Sequence, residues 1–180
     1  MKMHRQFLMS FATPLLALLF SSLTLVGCGS GSTATPVPGI ISGAFTMTGS
    51  QSTPANSSTA TGTGTISLDP STLTITTSIT YTGIPPSTTV IGTRPIGTAV
   101  FAAHVHAGAA GTALAANSVR YGFTISDTTK GAGTVTATNI VLTQAKFDEI
   151  YAELNASNLY MNVHSANFPD GEIRGQVVKR

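Results

Sequence analysis

From Ile40 onward the chain alternates apolar and polar residues with a period of two, the signature of strands that bury one face. The cleanest run is Thr72 to Thr82. There Leu73, Ile75, Thr77, Ile79 and Tyr81 alternate with Thr72, Thr74, Thr76, Ser78, Thr80 and Thr82, which predicts one buried face and one threonine-rich solvent face. Before it, Ile41, Phe45 and Met47, with Gly43 between them, predict a first strand. Gln51 to Ser58 reads as a polar loop, Thr61 to Leu68 as a second strand and Asp69-Pro70-Ser71 as a turn. Gly83 to Gly97, with three prolines, is expected to be irregular. Thr98 to His106 reads as a further strand and Ala107 to Asn117 as a Gly/Ala loop. Val119, Tyr121, Phe123 and Ile125 mark the next strand, and Thr134 to Val141 another.

The period then changes. Phe147, Ile150, Tyr151 and Leu154 fall at i, i+3, i+4 and i+7, which is one face of a helix. Thr143 is placed to cap it, Asp148 and Glu149 lie near its start, and Asn155 is a stop. Leu159 to Val178 returns to period two as a predicted hairpin. Tyr160, Asn162 and His164 alternate with Leu159, Met161 and Val163, Pro169-Asp170-Gly171 supplies the turn, and Glu172, Arg174 and Gln176 alternate with Ile173, Gly175 and Val177. One face is expected to be polar and the other apolar. About eight strands with one short helix before the C-terminal hairpin predict an all-β fold, an antiparallel Greek-key sandwich or barrel, over residues 40–180.

The segment before Ile40 has a different character. Lys2 and Arg5 precede a mostly apolar stretch, Phe7 to Val26, which ends in Leu25-Val26-Gly27-Cys28. This is the layout of a lipoprotein signal peptide over residues 1–28, with Cys28 as the lipidation site. A membrane-spanning reading is opposed by Ser10, Pro14, Ser21 and Ser22 inside the apolar stretch. Gly29, a non-Asp residue after the cysteine, predicts export to the outer membrane of a bacterial cell envelope. Residues 29–39, G-S-G-S-T-A-T-P-V-P-G, read as a linker that is flexible and then stiffened by proline. The formal net charge of +2 disappears once Lys2 and Arg5 are removed. A neutral domain carries no electrostatic footprint for nucleic acid, and its partner is expected to be a protein or another envelope component. An apolar content of 42% excludes a disordered polyelectrolyte.

Candidate chemistry is concentrated in two places. Besides His4 of the leader, the histidines are His104, His106 and His164. His104 and His106 are two apart on a predicted strand and share a face. That spacing allows two imidazoles to reach one metal at about 2.0–2.1 Å each. His164 joins them if the terminal hairpin lies beside that strand. Imidazole suits zinc, copper or nickel. Asn162, Asp170 and Glu172 are placed to support the ligands or to add a fourth one. The competing reading is structural: histidines that donate to neighbouring carbonyls, and Glu172 with Arg174 as a polar ladder fixing the hairpin register. No G-x-S-x-G or S-x-x-K motif sets a nucleophile beside a base. Asp170 and Glu172 are the only carboxylates of this region near each other, so a glycosidase pair is not expected. No phosphate-binding glycine loop precedes a helix.

His104-Val105-His106 and Asn162-Val163-His164, followed by Pro169-Asp170-Gly171-Glu172-Ile173-Arg174-Gly175-Gln176-Val177, resemble the hallmark segments of the CHRD domain. That domain was first named in chordin and is common in secreted bacterial proteins. The resemblance covers roughly Ile40 to Val178. Ser165 stands where Thr is usual and keeps the hydroxyl, and Gly83 to Gly97 is longer and richer in proline than usual. The resemblance implies an all-β extracellular module without an agreed enzymatic activity; in chordin it belongs to a protein that sequesters growth factors. Copper/zinc superoxide dismutases also carry an H-V-H on a Greek-key strand, but three histidines are too few for both their metals, and dismutase activity is not expected. The expectation is therefore a membrane-tethered, exported binding or structural module that is not an enzyme. The alternative is a zinc or copper protein using His104, His106 and His164.

Overall fold

The structure is a computed structural model and describes residues 38–84, 94–96, 99–115, 118–123 and 131–180. The predicted leader with Cys28, nearly all of the linker, and Ile125 lie outside the described residues. The strands are β1 (Ile41–Thr48), β2 (Thr61–Asp69), β3 (Thr74–Thr82), β4 (Arg94–Ile96), β5 (Ala99–Phe101), β6 (Ala103–Ala107), β7 (Val119–Phe123), β8 (Gly133–Val141), β9 (Leu159–Val163), β10 (Ile173–Gln176) and β11 (Val178–Lys179). The helix α1 (Gln144–Asn155) comes between β8 and β9.

One antiparallel sheet runs in the order β7-β6-β9-β10-β1-β2-β3-β8, with β11 pairing the start of β1. It curls into a nearly closed barrel, which decides between the expected sandwich and barrel. β1, β2 and β3 form a meander, while β10 pairs with β1 from the far end of the chain. The inner face carries Phe45, Met47, Ile66, Leu68, Ile75, Ile79 and Tyr81 from the meander, and Val105, Met161, Val163 and Ile173 from the other strands. The α1 helix adds Phe147, Ile150 and Leu154 to the same core. Its first turn is closed by Thr143, whose hydroxyl accepts from the Lys146 amide at 3.3 Å. Thr77 sits on the buried face and satisfies its hydroxyl by donating to the Thr65 carbonyl at 2.8 Å. On the outer face, Thr63, Thr80 and Thr134 are exposed and line up across three strands, as the threonine-rich pattern predicts.

Four local expectations are corrected. The predicted strand Thr98 to His106 is broken at Ala102. Ala103–Ala107 belongs to the barrel, whereas Ala99–Phe101 pairs with Arg94–Ile96 in a separate ribbon, within a stretch expected to be irregular. The third strand starts at Thr74, because Leu73 takes a left-handed φ of 55° to close the preceding turn. Asp148 and Glu149 fall beyond the first turn of α1, so neither sits at the helix N-terminus. The terminal hairpin does not present its polar face to solvent: every residue of Leu159–Val163 is buried, and so are Glu172 and Arg174.

Two glycines in the hairpin are required by geometry. Gly171 has φ of 122° in the turn, a conformation that disfavours any side chain. A Cβ on Gly175 would strike the Thr46 carbonyl of β1, so the close approach of β10 to β1 depends on its absence.

Candidate metal centre

Strand register assembles the site. β9 lies between β6 and β10, with His104 opposite Asn162 and Asn162 opposite Arg174. One step along, His106 faces Tyr160 and Tyr160 faces Gln176. Because strand side chains alternate, all of these project from the outer face of the barrel. His164 continues the alternation just past β9; its amide donates to the Ala102 carbonyl at 2.9 Å. Its ring therefore lies beside His104.

The three imidazoles converge, His104 and His106 on one face by their spacing and His164 because β9 lies beside β6. Each is fully buried, and their ligand nitrogens lie within 4.8 Å of one another. His104 Nδ1 and His164 Nε2 are 2.8 Å apart. His164 Nδ1 is 2.9 Å from the Pro169 carbonyl, which can only accept, so this nitrogen carries the hydrogen. In the neutral ring Nε2 is then an acceptor, and His104 donates to it from Nδ1. His106 Nδ1 lies 3.1 Å from the Ser118 hydroxyl. The His106 ring stacks on Tyr160 with centroids 4.8 Å apart and planes 4° from parallel. The Arg174 guanidinium sits 3.6 Å over the Tyr160 ring.

Two loops roof this layer, and the polar residues of the hairpin pin them down. Arg174 donates from one nitrogen to the Thr53 hydroxyl at 3.0 Å and the Thr112 carbonyl at 2.6 Å, and from the other to the Ala109 carbonyl at 2.9 Å. Gln176 donates to the Gly108 carbonyl at 3.0 Å. The Glu172 carboxylate accepts from the Ser58 hydroxyl at 2.6 Å, and its carbonyl accepts from the Ser52 hydroxyl and the Asn56 amide. Glu172 and Arg174 are each engaged with the loops, Glu172 clamping the first and Arg174 bonding to both. Asp170 is exposed in the turn and stands outside the histidine group. Asn162 is buried between His104 and Arg174.

Burial pushes the His106 pKa down to about 3, helped by the charged forms of His104 and His164 and by Arg174, while Asn162 opposes the shift. The ring is neutral at ordinary pH, the state in which imidazole ligates metal. Burial also lowers the Arg174 pKa, and Tyr160 opposes that. Glu172 Oε2 and Gln176 Oε1 on this face are buried without a hydrogen-bond partner, and His106 Nε2 and Asn162 Oδ1 have no partner at close hydrogen-bond geometry although the Asn162 side chain interacts with the His106 ring. Such orphans call for an ion, a water or a strained site as explanation. Nitrogens around a tetrahedral metal stand about 3.3 Å apart. The His104–His164 pair must open by about half an ångström to admit one and the wider separations must close, a movement within side-chain reach.

The pattern of residues pointed to His104, His106, His164, Asn162, Glu172 and Arg174, and the barrel brings these together. It did not point to Tyr160 as the stacking partner, or to Ser118, Ser58, Thr53 and Asn56 as supports. Tyr160 shares the alternation of Asn162 and was detectable by that sign; the loop residues carry no periodic signal.

No curated protein and no solved structure matches the chain. A family model, the CHRD domain, matches residues 44–177. That range runs from β1 through Val177 and takes in every residue of the histidine layer and its clamps. A binding or structural module is the role this membership supports, and on this match the chain belongs to the CHRD domain family.

Proposed function

We propose that this chain is an exported binding module of the bacterial cell envelope, tethered by lipid at Cys28 to the outer membrane, and that its domain holds a transition metal, zinc or copper, at His104, His106 and His164. The reading assigns it no catalysis and no nucleic-acid partner. Its carrying observation is the convergence of three fully buried imidazoles. His164 adds support, since its Nδ1–H donates to a backbone carbonyl as metal-ligating histidines commonly do. Metal analysis of the full chain purified in detergent should find about one metal ion per chain, and added metal should raise the melting temperature. A chain that carries no metal and does not respond to zinc or copper removes the metal from the proposal.

A second reading has its own observation. The direct His104–His164 hydrogen bond of 2.8 Å is a complete interaction without a metal and favours a purely structural network. Under it, the melting temperature is indifferent to both metals. The tether rests on Leu25-Val26-Gly27-Cys28 with Gly29 after it. Cys28→Ser should abolish acyl labelling and release the protein from the membrane fraction. Unchanged labelling and fractionation would refute the tether.

A further inference from the structure

We infer that the ion favoured by this centre is monovalent copper, Cu(I), over zinc; the inference rests on the metal-binding reading above. Its basis is the charge and closure of the site. All three donors are neutral imidazoles, and no carboxylate or thiolate belongs to the group among the described residues. The nearby charges are Glu172, held by Ser58, Arg174, held over Tyr160, and Asp170 in the exposed turn, and none of them belongs to the ligand group. No anionic ligand therefore neutralises a bound ion directly, in a site whose three ligands are inaccessible to solvent.

The desolvation cost of an ion rises with the square of its charge. A dication carries about four times the penalty of a monocation in the same cavity. Coordination number leads the same way. Zinc takes four ligands in nearly every protein site and keeps a water where the protein supplies three. Here residues 108–115 and 50–58 are held over this face by Arg174, Gln176 and Glu172, the three histidines are buried, and Ser118 is already engaged with His106. Cu(I) is satisfied by two or three donors and accepts imidazole.

The test uses the full chain in detergent, without oxygen and with a reductant. Cu(I) is titrated against bicinchoninate, a chromophoric Cu(I) chelator, and Zn(II) against a chromophoric zinc chelator. The expected result is one Cu(I) per chain, bound at least about 100-fold more tightly than Zn(II). Binding should be lost when His104, His106 and His164 are all changed to Asn. Zn(II) binding equal to or tighter than Cu(I) overturns this inference and leaves the metal centre standing. If neither ion binds, both readings fall. Undiminished Cu(I) binding by the triple variant places the ion elsewhere and overturns the inference as well. X-ray absorption at the copper edge reads the wild-type ligands without any substitution. A shell of three nitrogens is expected, and a shell containing sulfur or four light ligands overturns the inference.

Discussion

Arg174 is the residue on which the roof of the histidine layer most depends, and Arg174→Lys isolates the reason. The guanidinium makes three hydrogen bonds, to Thr53, Thr112 and Ala109, and lies flat over Tyr160. Hydrogen bonds to a charged group contribute about 1.5–3 kcal/mol each, and the cation–π contact about 1–2 kcal/mol. The cost of burying the guanidinium offsets part of that sum. Lysine keeps the charge but has no planar fork, so it reaches at most one or two of the acceptors and cannot stack in the same way. The expected loss is about 2–4 kcal/mol, read as a lower midpoint in urea denaturation with an unchanged slope. Hydrogen exchange supplies the local readout. Amides of residues 108–115 and 50–58 should lose protection more than those of the β1–β3 meander, because Arg174 is the clamp shared by both loops. An Arg174→Lys protein with the wild-type midpoint and undisturbed loop protection would refute the clamp.

Deleting residues 172–180 should unfold the whole domain, because β10 is the seam joining β9 to β1 and Ile173 and Val177 are core residues; a truncated chain that keeps the cooperative transition counts against this. Gly175→Ala should destabilise by about 1–3 kcal/mol, since the new methyl meets the Thr46 carbonyl, and an unaltered denaturation midpoint would show that β1 gives way freely. In metal-free protein the folded pKa of His106 is about 3, below its ordinary value of 6.5. The unfolded chain therefore takes up the proton first, so this stability is complete above pH 6.5 and is lost as pH falls toward 3. Urea midpoints measured across that window should drop more steeply for wild type than for His106→Asn, and parallel curves would contradict the shift. Metal affinity should also fall below about pH 6.5 as the histidines compete for protons, which a competition titration at two pH values checks.

What the residues alone determined is local. Strand alternation set Ile75, Ile79 and Tyr81 inward and Thr80 and Thr82 outward, because the pleat leaves no other arrangement for a period of two. The same geometry placed His104 and His106 on one face, and the i, i+3, i+4, i+7 spacing of Phe147, Ile150, Tyr151 and Leu154 required a helix. The hallmark segments were recognisable from their own residues, His104-Val105-His106 and Asn162-Val163-His164 with Pro169 to Val177. What only the tertiary structure decided is which distant strands become neighbours. Nothing near His164 in sequence states that β9 runs beside β6, so its meeting with His104 depends on closure of the barrel as a whole. Nor did the polar face of the hairpin announce its burial. Its covering loops lack periodicity and are held by hydrogen bonds from Glu172, Arg174 and Gln176 to groups more than sixty residues away in the chain. Contacts of that range are selected by the lowest free energy of the closed fold rather than by any local preference.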